Sequence, residues 1–431
     1  MKYRLGLLLV LLTLPLGAAP ALAQSDISVL SSSAENRFPQ ELVFRLQARS
    51  AAPIQKVSLV YQRSDTRASQ LALPTFTPGT EIDLRHIVNL GGGREAYIPP
   101  TVVLTYWWVL EDSAGHQMES SRQELTLLDS RFTWRSVTRN DVTVYWYRGS
   151  DDVGQTILSL IEADLAKLDS TLGLRQNGAV RVSLYASPQD MVPALPVRSS
   201  VFQSEIITLG IALSREVLFV LNTAGNEETV IHELTHLILH HFVGRTFLYE
   251  GIPAWLNEGL AVYMQSSPGQ DYSSGIATAI RRNQVFTLRQ IFSQTGEASE
   301  VSLFYGQSWS TVKYLIDRHG REKFISFLTK FRDGVRFEDG LLQVYGFTID
   351  GLENAWRESV GLAPRPVASP VAPQQPETIP TLPPARAPQP AVSDAGQDNT
   401  LVLVLGGAVI VALLAGIALV AGLLIARRGY G

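Results

Sequence analysis

Residues 229–242, TVIHELTHLILHHF, decide how the chain is read, together with residues 253–259, PAWLNEG. On a helix His232 and His236 stand one turn apart on the same face, so both imidazoles can reach one metal ion. Glu233, next to the first of them, can then reach a water on that ion. This pattern points to a hydrolytic zinc centre. A catalytic zinc takes three protein ligands and keeps its fourth position for water, so a third ligand is required. Glu258 is the nominee. It lies on what reads as the next helix, opened by Gly251-Ile252-Pro253, with the proline at a first-turn position where its missing N–H costs nothing. Trp255, Leu256, Leu260, Ala261 and Met264 give that helix an apolar face. A carboxylate among them is badly placed unless it has a cation. Glu250 is the rival, in a loop just before the helix, where a ligand is held less firmly.

HELTH at 232–236 followed by WLNEGLAVY at 255–263 resembles the gluzincin zinc peptidases, and within them the peptidase MA-like family. The gluzincin aminopeptidases, distantly similar, carry almost the same second motif. The resemblance implies that His232, His236 and Glu258 are the zinc ligands and that Glu233 is the general base. It also implies a catalytic tyrosine from the helical half, set over the transition-state oxyanion. Tyr305 in FYGQSWS (304–310) is the candidate, with ordinary packing as its alternative role. No GxMEN-like segment, the element with which those aminopeptidases grip a free amino terminus, precedes the metal helix. Aminopeptidase action is therefore not implied, and endopeptidase or processing action stays open.

The two ends suggest a location. MKYRLGLLLVLLTLPLGAAPALA has basic residues, a short apolar run and the small-residue site Ala21-Leu-Ala23, as a signal peptide over 1–23 does. Residues 401–426 are apolar and uncharged and are followed by Arg427 and Arg428. That length spans a bilayer, and the arginines put a tail at 427–431 in the cytoplasm and the bulk of the chain outside it. Residues 364–400 are rich in Pro, Ala, Gln and Val, which favours an extended, unfolded linker. At ~3.1 Å per residue where extended, it could hold a domain up to about 100 Å from the membrane. Cysteine is absent, so stability has to come from packed cores, and the net charge of −4 offers no footprint for nucleic acid.

Between these ends two domains are expected. Over 24–130 apolar residues alternate, as at Leu42, Phe44, Leu46 and Ala48, at Val57, Leu59 and Tyr61, and at Ile82 and Leu84. A strand through TVVLTYWWVL should turn at Asp112-Ser-Ala-Gly115 and find a partner in QELTLLD. Short strands and no convincing helix predict an immunoglobulin- or fibronectin-like β-sandwich. Of Trp107 and Trp108, one must face inward, so core packing is favoured over a carbohydrate platform.

Over 131–363 the pattern predicts an α+β peptidase-type domain. Strands at VTVYWYRGS, VRVSLYAS, EIITLGIAL and EVLFVLNT alternate with a helix carrying Ile157, Leu160, Ile161, Leu165 and Leu168. The metal helix should start at Asn226 as N-cap. His240, one turn beyond His236, is read as surface or as flanking the site. After Met264 the chain is helical, with Gly320, Gly334 and Gly361 as stops, giving an α/β half and an α half with the metal between them.

The expected protein is thus a membrane-anchored, extracytoplasmic zinc metallopeptidase acting on a peptide or protein substrate. The alternative is a catalytically inactive surface-binding or adhesion protein in which zinc braces the fold.

Overall fold

The computed structural model describes residues 27–66, 68–90, 97–196, 209–223, 225–243, 252–295 and 297–366. The expected signal peptide, nearly all of the proline-rich linker, the apolar segment at 401–426, the tail and Glu250 lie outside the described residues. No helix among the described residues is long and apolar enough to cross a membrane. The chain divides into two compact units between Arg131 and Phe132.

The first unit is β-rich. Its strands are β1 (Ser28–Arg37), β2 (Glu41–Arg63), β3 (Ser69–Ala72), β4 (Gly79–Asn89), β5 (Val103–Asp112), β6 (Gln117–Glu119) and β7 (Gln123–Thr126). All of their pairings are antiparallel. β2 organises them. Its first half pairs with β1 and β4; after an irregularity between Arg49 and Ile54 its second half pairs with β3 and β5. An irregular register bends a strand, so one strand serves both halves of the sheet. The alternation in the sequence has a plain outcome, since Leu42, Phe44, Leu46, Ala48, Val57, Leu59, Tyr61, Ile82 and Leu84 are all buried. Trp108 is buried, with its indole N–H donating to Ser32 Oγ at 3.1 Å, while Trp107 lies 4.5 Å under the Arg122 guanidinium. The turn after β5 is held by the buried Asp112, whose Oδ1 accepts from the backbone N–H groups of Ala114 and His116, each at 3.0 Å.

The second unit begins with a hairpin of β8 (Arg135–Arg139) and β9 (Val142–Trp146), turning at Asn140 and Asp141, both in the left-handed region. Such a two-residue turn matches the twist of the paired strands. Next come α1 (Asp151–Leu172), β10 (Val180–Tyr185), a short α2 (Pro188–Met191), β11 (Gly210–Ala212) and β12 (Val217–Leu221). The five-stranded sheet has the order β11-β12-β10-β9-β8. β9, β10 and β12 are parallel, and β8 and β11 are antiparallel edges. β12 is buried along its whole length, in keeping with its unbroken apolar run VLFVL. Helices α3 (Glu227–Val243), α4 (Ala254–Met264), α5 (Gln270–Arg282), α6 (Val301–His319), α7 (Arg321–Arg332), α8 (Phe337–Tyr345) and α9 (Ile349–Ser359) complete it. One apolar core runs from the sheet through α1 and α3 into the helices that follow.

Asn226 precedes α3 as expected, its backbone carbonyl accepting from Val230 N–H at 2.9 Å, while its side-chain amide donates to Leu221 O at 3.4 Å. Several local expectations need correction. Pro253 is the N-cap of α4, one residue earlier than a first-turn position. Strand structure in EIITLGIAL is described only for Gly210–Ala212. Arg131 belongs with the first unit, since its Nε donates to Asp129 Oδ1 at 2.9 Å. The folded unit also reaches past residue 363. Arg365 donates to Glu353 Oε1 and to Val285 O, each at 2.6 Å, and its backbone N–H donates to Asn354 Oδ1, so any linker begins beyond it.

Asp164 sits buried in α1, with Oδ2 unpartnered among the described residues. Burial raises its pKa to about 7, the nearby Glu228 adding to the rise and Lys167 opposing it. A raised carboxyl favours the folded state while it holds its proton, and that contribution is lost as pH rises from its unfolded value near ~4 through about 7. Asp164→Asn should therefore gain thermal stability over the parent progressively between those limits and level off above them. Melting curves of both proteins across that pH range check it, and a pH-independent difference would refute it.

Candidate metal centre

Helix α3 supplies three of the predicted residues. It is buried along nearly its whole length, with Ile231, Leu234, Leu237 and Ile238 in the core, so its orientation is fixed by packing. His232 and His236 lie with ring centroids 4.9 Å apart and planes at 83°. Helix α4 brings Glu258 to them. Its Oε2 is 3.4 Å from His232 Nε2 and 3.4 Å from His236 Nε2. Each of the three residues offers a ligand atom within 4.8 Å of the others, the one such group of His, Cys, Asp or Glu among the described residues.

Close contact between helices makes this possible. A Cβ on Gly259 would lie 2.3 Å from Ser308 O, so α4 and α6 meet at a point where no side chain fits. That contact sets Glu258 beside Tyr305. A second such approach occurs at Gly210, where a Cβ would lie 2.8 Å from Glu233 Cγ. Edge strand β11 consequently runs hard against α3, and Ala212 N–H donates to Glu233 Oε2 at 3.0 Å.

The donor set fits a cation. Glu258 is only 1% exposed, and its Oε2, facing both imidazoles, has no hydrogen-bond partner among the described residues. Its other oxygen accepts from Gln294 Nε2 at 2.7 Å. Asn257 Oδ1 lies 3.0 Å from His236 Nδ1 and can only accept, so Nδ1 keeps its proton and Nε2 is the atom left to face a metal. Burial disfavours charge on Glu258, yet the two imidazoles outweigh it and hold the carboxyl well below the usual range. Burial likewise works against a charged His236, but Glu258 lifts it to about 9. Two imidazole nitrogens and one carboxylate oxygen are ligands that zinc accepts.

Glu233 is not in that group of three. Burial raises its pKa, with Glu258 adding to the rise and the histidines and the Ala212 N–H opposing it. Tyr305 is buried with its ring centroid 6.2 Å from that of His232. Burial, then the Glu258 charge, keeps its phenol protonated far above neutral pH. Tyr272 from α5 stacks on it at 5.0 Å and 13°. His240, expected at the surface or flanking the site, is buried. Burial, with His236 and His241, depresses its pKa to about 3, which makes it a neutral core residue. Asn257, Gln294, Tyr272 and the Ala212 N–H were not anticipated. Asn257 stands beside Glu258 within the motif and was open to discovery, whereas the others are joined to the site only by folding.

The family model of the Peptidase MA superfamily matches residues 161–361. Over those residues the chain is similar to the Peptidase MA superfamily. No curated protein matches the chain. Among solved structures, the M1 zinc metallopeptidase of Deinococcus radiodurans is 14% identical, with 81% of this chain and 98% of that one covered and a TM-score of 0.37. Aminopeptidase A of Legionella pneumophila, solved with aspartic acid, is 12% identical, with 75% and 48% covered and a TM-score of 0.31.

Gly259→Ala should lower stability by about 1–3 kcal/mol, because its methyl group meets a backbone carbonyl that cannot turn aside. Denaturant titration measures this, and a change within a few tenths would mean that α4 and α6 are not in contact there.

Proposed function

We propose that the unit beginning at Phe132 is a zinc-dependent peptidase whose metal is held by His232, His236 and Glu258. The observation that carries this is the buried Glu258 Oε2, without a hydrogen-bond donor among the described residues and equidistant at 3.4 Å from two imidazole nitrogens. The Peptidase MA superfamily match over 161–361 supports peptide bonds as the substrate class. Zinc bound there supplies a Lewis acid that polarises a carbonyl and acidifies water.

This chain's residues do the rest. Glu233 has one oxygen tied to the Ala212 N–H, which leaves Oε1 to take a proton from water and pass it to the leaving amine. Its raised pKa suits a group that must both accept and release a proton. Tyr305 Oη–H, which stays protonated, donates to the carbonyl oxygen as negative charge develops there. Asn257 holds the His236 ring in the orientation that points Nε2 inward. The β unit, which we read as an immunoglobulin- or fibronectin-type sandwich, serves spacing or recognition.

The proposal includes the location suggested by residues 1–23 and 401–426, a single-pass membrane protein with its bulk outside the cytoplasm. Exposed unfolded chain is cut first by proteases, so brief surface proteolysis of intact cells should release an active fragment ending between residues 366 and 400. Digestion only after lysis would reverse the orientation.

The test of chemistry is Glu233→Gln, which keeps the shape and removes the basic oxygen. Zinc content should stay stoichiometric while cleavage of a peptide library falls by at least ~10²-fold. Loss of cleavage together with loss of zinc would make Glu233 a ligand. A parent protein that holds zinc, loses its fold on chelation and cleaves nothing would establish the inactive binding protein instead.

A further inference from the structure

Gln294 lies just past the 3-10 turn Gln290–Phe292, in the loop that leads to α6. Its amide nitrogen donates to Glu258 Oε1 at 2.7 Å. Its own Oε1 is buried without a partner among the described residues. The reverse amide orientation would set two acceptors face to face, so the nitrogen must be the atom turned to Glu258. The loop is held by other bonds. Thr295 Oγ1 donates to Glu300 Oε2 at 2.6 Å, and Gln290 Oε1 accepts from Thr287 N at 2.8 Å. A buried carbonyl left unsatisfied is unfavourable, and the single bond Gln294 makes in return goes to Glu258.

Resting on the zinc reading above, we propose that Gln294 is a positioning residue that occupies one oxygen of Glu258 and so presents the other, Oε2, as the ligand atom. A free carboxylate can rotate or offer both oxygens to a cation. With Oε1 tied to an amide from a different segment, Oε2 is fixed where it faces His232 and His236. A neutral donor suits this task. An arginine or lysine there would neutralise the carboxylate and compete with the metal, whereas an amide orients it and leaves its full charge for the cation. Asn257 does the corresponding work for His236. Two of the three ligands therefore carry a carboxamide brace, one from the residue preceding Glu258 and one from a loop beyond α5.

The test is zinc affinity in the full-length protein, measured by competition with a chromogenic chelator at a temperature where parent and variants show the same circular dichroism. Gln294→Met keeps the length and removes the donor, and zinc should bind about 10–100-fold more weakly. Gln294→Asn withdraws the donor by one carbon without leaving an apolar tip and should shift affinity in the same direction, which keeps the test decisive if the methionine variant folds poorly. Thr295→Val, which alters the same loop through the bond to Glu300, should leave affinity unchanged. Gln294 variants that bind zinc within twofold of a zinc-binding parent overturn this inference and leave the proposed function standing. An equal loss in Thr295→Val would assign the effect to the loop as a whole and also overturn it. A parent that fails to take up stoichiometric zinc overturns the functional reading and this inference together.

Discussion

A carboxylate that is buried and still charged is the constraint around which the second unit is built. Burial alone would drive Glu258 toward its neutral form. Two imidazoles facing Oε2 favour its ionised form instead, while a carboxamide occupies Oε1. Such an arrangement is unfavourable unless its groups are positioned closely, because an unpaired buried charge is among the most destabilising features a fold can carry. Helices α3 and α4 and the loop before α6 must therefore be placed together, and the packing of the whole unit serves that placement.

Two close backbone approaches do much of this work. Gly259 lets α4 lie directly on α6, and Gly210 lets β11 lie directly on α3. The first joins Glu258 to the side of the site where Tyr305 and Tyr272 stack. The second brings a backbone N–H to Glu233. The sheet half and the helical half thereby both reach the site, each through a position where a side chain is excluded. Polar partners then set the direction of every group. Asn257 turns His236, Gln294 turns Glu258, and Ala212 holds one oxygen of Glu233.

The superfamily match and the geometry bear on different questions. The match over 161–361 relates most of the second unit to a known family and says nothing of the β unit before it. The β unit has its own logic in β2, a strand that pairs along both halves and carries a buried alternating face in each, on either side of the irregularity between Arg49 and Ile54. Its alternation was legible because period-two patterning requires no knowledge of which strands pair.

How much could be read in advance differs by physical scale. The helical repeat alone puts His232 and His236 on one face, and the apolar surroundings of Glu258 in the sequence already argue for a cation beside it. The apolar runs of β9, β10 and β12 and the periodic face of α1 were likewise visible, because local geometry dictates which neighbours share a face. Burial was less legible than spacing: of the two places open to His240, the surface is excluded because neighbouring elements close over α3. Gln294, Tyr272 and the Ala212 N–H carry no local signal at all. Each reaches the site across a long stretch of chain, and that distance is closed only when the helices pack. The sequence by itself determined which residue types gather at the candidate site and the helical spacing of its two histidines. Only the tertiary structure decided which oxygen of Glu258 faces the imidazoles, because that depends on a donor arriving from a separate loop.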